Sequence, residues 1–174
     1  LFRSALAKKE FGNHIITSSV EHAAVSNSVR ALEDLGFRVT VLPVDKNGQV
    51  DPDDLKAALD KETILVSIMG VNNEIGTIQP IKEISKVLED YPNVTFHVDN
   101  VQALGKDIWD EVFTNRVDLM SLSAHKFHAP RGVGILYKKE GKMIKPLIDG
   151  GGQEKGLRSS TENLRSEERR VGKE

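Results

Sequence analysis

Thr63-Ile64-Leu65-Val66-Ser67-Ile68-Met69-Gly70-Val71 is almost continuously apolar, broken by one serine and one glycine. A strand with one wet face alternates apolar and polar residues. A run without alternation predicts a strand covered on both faces, as in a parallel sheet lying between helices. The residues around it repeat that theme. His14 to Ser19 is β-branched and follows Gly12-Asn13, a strand signal. Ala23, Val25, Val29, Leu32 and Leu35 then form a helical stripe with Gly36 placed as its C-cap. Phe37 to Val44 alternates as a strand does. Asp51-Pro52-Asp53-Asp54 reads as a helix start, with Asp51 as cap, Pro52 in the first turn and acidic residues at the positive end of the dipole.

Downstream, a helix is predicted from Pro80, with Ile81, Ile84, Val87 and Leu88 on one face. Val94 to Val98, Val117 to Leu122 and Val133 to Tyr137 are further strands. Strands alternating with helices predict an α/β domain: a mostly parallel sheet flanked by helices. Ligands in such sheets gather beyond the carboxyl ends of the strands.

Composition narrows the function classes. At 174 residues one domain is the default. A net charge of −2 gives no reason to expect nucleic acid or an anionic membrane as partner. No apolar run approaches a membrane span, and no secretory signal opens the chain. The absence of cysteine excludes disulfides and thiolate metal sites within these residues and fits a reducing, cytoplasmic setting. Leu1 to Ala7 reads as mid-helix without an initiator Met, so the chain is expected to be an internal piece, with residues 1–164 forming part of a large domain. Residues 165–174, from Arg165 to Glu174, lack apolar periodicity and resemble the translation of sequencing-adapter read-through; a non-native tail is expected there.

Three strand ends carry polar residues. Val71-Asn72-Asn73-Glu74-Ile75-Gly76 offers two amides and a carboxylate, although Asn and Gly are also ordinary turn residues. His97-Val98-Asp99-Asn100-Val101-Gln102 places Asp99 where it can pair with a cation such as a protonated ring nitrogen, or else cap a following helix. A metal there is disfavoured, since hard cations want several carboxylates and zinc wants more His or Cys. Ser121-Leu122-Ser123-Ala124-His125-Lys126 puts an amine beside donors suited to a phosphate, ahead of the glycines of Pro130-Arg131-Gly132-Val133-Gly134. A Schiff-base lysine must be held away from bulk water; a surface lysine is the plain alternative. His22, after the first strand, is placed to stack on an aromatic ligand and move protons, or to serve as a structural histidine. Gly150-Gly151-Gly152-Gln153-Glu154 lacks the Lys-Ser/Thr ending of a phosphate-binding P-loop.

One cofactor uses this whole set. Pyridoxal 5'-phosphate needs an amine, an acid for its pyridine nitrogen, donors for its phenolic oxygen and phosphate, and a group to stack on the ring. The chain resembles the central part of a cysteine desulfurase of the iron–sulfur-cluster and nitrogen-fixation type, in the aminotransferase class V group of fold-type I pyridoxal-phosphate enzymes. The resemblance runs through Ser19 to Val25, Val71 to Gly76, His97 to Gln102, Ser121 to Tyr137 and Gly150 to Asn163.

The resemblance implies that Lys126 holds the cofactor and moves protons at the substrate α-carbon. His22 would stack on the ring and serve in acid–base steps, and Asp99 would pair with the ring nitrogen. Asn73 and Gln102 would bond the phenolic-oxygen side, with Ser123 and His125 on the phosphate. Thr161 would reach the phosphate of the partner subunit in a homodimer, and Arg158 lies in the same segment. It further implies L-cysteine as substrate, an acceptor such as an iron–sulfur scaffold protein, and a persulfide-forming cysteine beyond residue 174. Ala129 and Ser160 stand where the family usually has glycine; Ser160 matters if that backbone needs positive φ. Two rivals remain at this level: another class V lyase or aminotransferase, for example a selenocysteine lyase, and a non-catalytic α/β scaffold. Lys126 and Asp99 argue against the scaffold.

Overall fold

The computed structural model of the chain describes residues 1–146 and 148–161. The tail expected at 165–174 lies outside the described residues, as do Glu162 and Asn163. Six strands form one sheet: β1 (His14–Ser18), β2 (Arg38–Leu42), β3 (Thr63–Met69), β4 (Thr95–Asp99), β5 (Leu119–Ser123) and β6 (Gly134–Lys138). Their spatial order is β2-β1-β3-β4-β5-β6; the first five are mutually parallel and β6 runs antiparallel to β5. The apolar run is β3, buried along its full length, as are β1 and β4.

Helices cover both faces. Alternate strand residues Ile16, Val66, Ile68, Phe96 and Val98 pack with Leu55 of α3 (Pro52–Ala58), Ile81, Ile84 and Leu88 of α4 (Ile81–Glu89) and Val112 of α5 (Trp109–Val112). On the other face Ile15 and Leu65 pack with Ala5 of α1 (Phe2–Ala7) and Leu32 of α2 (Ala23–Glu33). Each such fully buried aliphatic or aromatic side chain contributes about 1.5–3 kcal/mol. The helix boundaries follow the local signals. Asp51 caps α3 by accepting from the Asp53 N–H at 2.8 Å, with Pro52 in the first turn. Beyond α2, Gly36 takes the left-handed conformation (φ 87°) that ends the helix, and the Phe37 N–H returns to the Leu32 carbonyl.

Two histidines inside the sheet are paired across strands. His14 bridges Thr63 and Thr40 through its two ring nitrogens, each at 2.8 Å, joining β3, β1 and β2. His97 does the same between Ser67 and Ser121, also at 2.8 Å each, joining β3, β4 and β5. At the amino ends of the strands, buried Asp118 accepts from the Phe96 N–H at 2.9 Å and pairs with Arg116 at 2.8 Å and Lys142 at 3.1 Å.

The turn after β3 depends on a glycine. A Cβ at Gly70 would stand 1.9 Å from the Asn100 Oδ1, whose amide donates to the Val112 carbonyl at 2.9 Å and so fixes the turn after β4 to α5. Gly70→Ala is expected to destabilise the protein by about 1–3 kcal/mol, measured by denaturant unfolding; unchanged stability would show that the two turns move apart freely.

Burial pushes the proton affinity of His14 below, and that of His97 well below, the ordinary value of 6.5; Arg38 adds to the effect on His14. Both folded-state values are depressed, so both imidazoles are neutral in the fold. Their contribution is complete above the unfolded value and is lost as pH falls below it, because the unfolded chain takes up protons that the folded chain refuses. Unfolding free energy is therefore expected to drop as pH falls below about 6.5, and His97→Gln should give a shallower acid slope in the same measurement.

Candidate functional site

The carboxyl ends of β1, β3, β4 and β5 open onto one cleft of about 330 Å³, lined among others by His22, Asn73, Asp99, Gln102, Ser123, His125 and Lys126. The packing on the two faces of the sheet explains its position. Parallel strands covered on both faces leave their ends as the place where polar side chains can meet, and every chain reversal there brings a new one.

His22 is the N-cap of α2, and its Nδ1 accepts from the Ala24 N–H at 3.1 Å. That bond leaves the proton of a neutral ring on Nε2, with the imidazole fixed at the cleft wall. Asn72 and Asn73 divide the two roles that sequence alone leaves open. Asn72 is buried; its Oδ1 accepts from the Glu74 and Ile75 N–H groups at 2.9 and 3.0 Å, and its Nδ2 donates to the Val20 carbonyl at 3.0 Å. It builds the turn. Asn73 is exposed to the cleft, with its Nδ2 on the Glu74 Oε1 at 2.7 Å.

Asp99 ends β4 with only 8% of its surface exposed. Its Oδ1 accepts from the Val101 N–H at 3.1 Å; among the described residues it forms no salt bridge. The bond closes a turn and caps no regular helix, since α5 begins only at Trp109. Burial raises its proton affinity above the ordinary carboxylate value, with the Val101 N–H and the charge of His22 pulling the other way. A buried carboxylate without a cation is unfavourable, so this position fits a positively charged ligand atom.

Ser123 and His125 stand on opposite sides of the bend from β5 into a short 3₁₀ turn (Ala124–Phe127), with the serine Oγ 2.8 Å from the histidine Nδ1. Lys126 follows them. Both His125 and Lys126 are exposed. The withdrawal from bulk water expected of the lysine is thus not provided by the described residues, which leave this side of the cleft open. Thr161 is also exposed and does not line the cleft. Arg158 donates to the Ser160 hydroxyl in the same outlying segment. Neither Ala129 nor Ser160 has positive φ, so their replacement of glycine strains nothing; the left-handed residues nearby are His128, Glu154 and Lys155.

The donor set fits pyridoxal phosphate: an amine, a buried carboxylate lacking a cation, two amides, a hydroxyl–imidazole pair and a fixed imidazole wall around a cleft of ligand size. Met69, Val71, Ala24 and Val101 supply its apolar lining. Sequence reasoning did not assign them to it, although Met69 and Val71 sit at the end of the very run that set the fold.

The aminotransferase class V family model matches residues 1–171. A NifS/IcsS protein homolog from Lactobacillus delbrueckii subsp. bulgaricus is 76% identical over 161 residues, covering 92% of this chain and 42% of the relative. The cysteine desulfurase IscS of Dictyoglomus turgidum is 56% identical, over 92% of this chain and 40% of its own length. Among solved structures, a NifS-like protein superposes with a TM-score of 0.87 at 43% identity, covering 94% of this chain and 45% of that one. SspA in complex with cysteine gives a TM-score of 0.83 at 38% identity, over 94% and 48%. The chain therefore spans less than half the length of the relatives it matches. Pyridoxal phosphate is the cofactor of this class of enzymes, and the sheet, the cleft and the family match agree on one conclusion: the chain belongs to the aminotransferase class V family.

Proposed function

We propose that the full-length protein is a cysteine desulfurase, which takes L-cysteine to L-alanine and carries the sulfur away as a persulfide on a cysteine of its own. No cysteine lies within residues 1–174, so that nucleophile belongs to another part of the protein. The observation that carries the reading is the convergence of Lys126, Asp99, His22, Asn73, Gln102, Ser123 and His125 on one cleft. The relatives named cysteine desulfurase support the substrate.

Pyridoxal phosphate, when bound, supplies a ring that accepts electrons from the bonds around the substrate α-carbon. The residues divide the remaining work. Lys126 would supply the amine that holds the cofactor and would carry a proton to and from the α-carbon. Asp99 would keep the ring nitrogen protonated, and that positive charge would in turn relieve the burial of the carboxylate. His22, fixed by the Ala24 N–H, would pack against the ring and offer its Nε2 proton. Asn73 and Gln102 would donate to the phenolic oxygen, while Ser123 and His125 would hold the phosphate.

The same proposal includes a homodimer. Thr161 lies outside the cleft of its own chain, a position suited to the phosphate in a partner subunit. The sulfur acceptor would be a protein such as an iron–sulfur scaffold. No helix among the described residues is long and apolar enough to cross a membrane.

The full-length protein, loaded with pyridoxal phosphate and given L-cysteine, is expected to form alanine and sulfane sulfur in equal amounts; aminotransfer products without sulfur release would point to a different class V reaction. Lys126→Ala should abolish the visible absorption of the lysine-bound cofactor, and a retained band would mean that another lysine bonds it. Asp99→Asn should lower turnover by about 10²-fold or more while cofactor still binds.

A further inference from the structure

We infer that Glu21 is a positioning residue of the cleft: its carboxyl ties the turn that presents His22 to the end of β3 that leads to Asn73. The Glu21 Oε1 accepts from the Ser18 hydroxyl at 2.7 Å and from the Met69 N–H at 2.7 Å. Two chain segments therefore share one oxygen, and the Asn72 bond to the Val20 carbonyl at 3.0 Å closes the same seam a second time. Met69 is in register with Asp99 of the next strand, so the seam also sets how the His22 turn stands relative to that carboxylate. None of this touches a ligand. Glu21 acts through the residues that do, and the inference rests on the cofactor site proposed above.

The second oxygen gives the residue its particular character. Oε2 is shut off from solvent and has no hydrogen-bond partner among the described residues. A carboxylate with one oxygen doubly bonded and the other dry is costly to ionise. Burial chiefly, with the nearby charge of Asp99, pushes Glu21 up to about 7, against the pull of the Ser18 hydroxyl and the Met69 N–H. Below that value the seam is held by a neutral carboxyl. Above it the anion keeps both bonds to Oε1, but its second oxygen lies in a dry space beside Asp99, and hydrating that oxygen requires the turn to open, which loosens the seam. Of the groups that can carry charge, Asp99 on β4 acts on Glu21 and His22 follows it on the same turn, while His125 and Lys126 line the cleft beyond them.

The test uses the full-length apoprotein and measures its affinity for pyridoxal phosphate between about pH 6 and pH 9, for the wild type, Glu21→Gln and Glu21→Ala. Glutamine keeps an acceptor oxygen and cannot ionise. It is expected to match the wild type within about threefold at pH 6 and to lack the wild-type loss of affinity above about pH 7. Alanine removes both bonds and should weaken binding about tenfold or more at every pH. The cofactor and every other residue of the cleft are the same in wild type and Glu21→Gln, so the difference between those two profiles isolates Glu21. Identical pH profiles for those two would overturn the inference, as would alanine binding within about twofold of wild type. Should Glu21→Ala fail to fold by circular dichroism, the glutamine profile decides alone. A wild type that binds no cofactor at any pH sinks the cofactor site itself, a failure distinct from either.

Discussion

A parallel sheet covered by helices on both faces leaves its polar side chains only two kinds of place: the seams between strands and the strand ends. The constraint shapes the whole chain. Within the strands two histidines are paired sideways, His14 with Thr40 and Thr63, and His97 with Ser67 and Ser121. Both imidazoles spend two ring nitrogens on two hydroxyls, which satisfies them without charge and links three strands at a time. The apolar alternatives at those positions would pack as well, but they would not fix the relative registers of β2, β1 and β3 or of β3, β4 and β5.

The two ends of the sheet treat a buried carboxylate in opposite ways. Asp118, at the amino end of β5, is surrounded: a backbone N–H, Arg116 and Lys142 all reach it, and Arg116 also donates to the carbonyls of Leu88 in α4 and of Tyr91 and Val94 beyond it. Asp99, at the carboxyl end of β4, has one N–H. Both are buried to a similar degree, 2% exposed for the Asp118 side chain against 8% for Asp99. The difference is therefore one of partners. An interior carboxylate supplied with two cations serves the fold; one left with a single donor and facing a cleft has its charge uncompensated among the described residues.

Much of this was legible in the chain. The unbroken apolar run of β3, the Asp51-Pro52 start of α3, Gly36 after α2 and the 3.6-residue stripe of α4 each encode a local preference that the tertiary structure also wants, so pattern and fold agree. The cleft region was legible because polar residues gathered at the carboxyl ends of parallel strands, where ligands of such sheets bind. What was not legible is burial and pairing across the sheet. Nothing in Asn72-Asn73 says that the first closes the turn and the second faces the cleft. Nothing in Glu21 reveals Met69 48 positions away. Likewise, the close approach of Asn100 to Gly70 exists only once β3 and β4 are side by side. Lys126 shows the converse: its residue type and neighbours single it out in the sequence, yet its exposure depends on what covers that side of the cleft.

The arrangement of the cleft also explains why so few of its residues need to be rigid in themselves. Four of the cleft-facing side chains have a neighbour in sequence that is anchored instead. Asn73 follows Asn72, which holds two N–H groups and a carbonyl. His22 follows Glu21, which grips Ser18 and Met69. Asp99 precedes Asn100, which is locked onto Val112 and against Gly70. Ser123 precedes buried Ala124, whose N–H donates to the Val133 carbonyl. Anchoring the neighbour rather than the functional residue spares the latter's own donors and acceptors for a ligand while still fixing its backbone. That is what preorganisation requires of a site built on turns rather than on the strands themselves. It also predicts where such a site is fragile: a substitution at an anchor moves the functional side chain beside it without touching the ligand, so its effects on binding would resemble those of losing the neighbour.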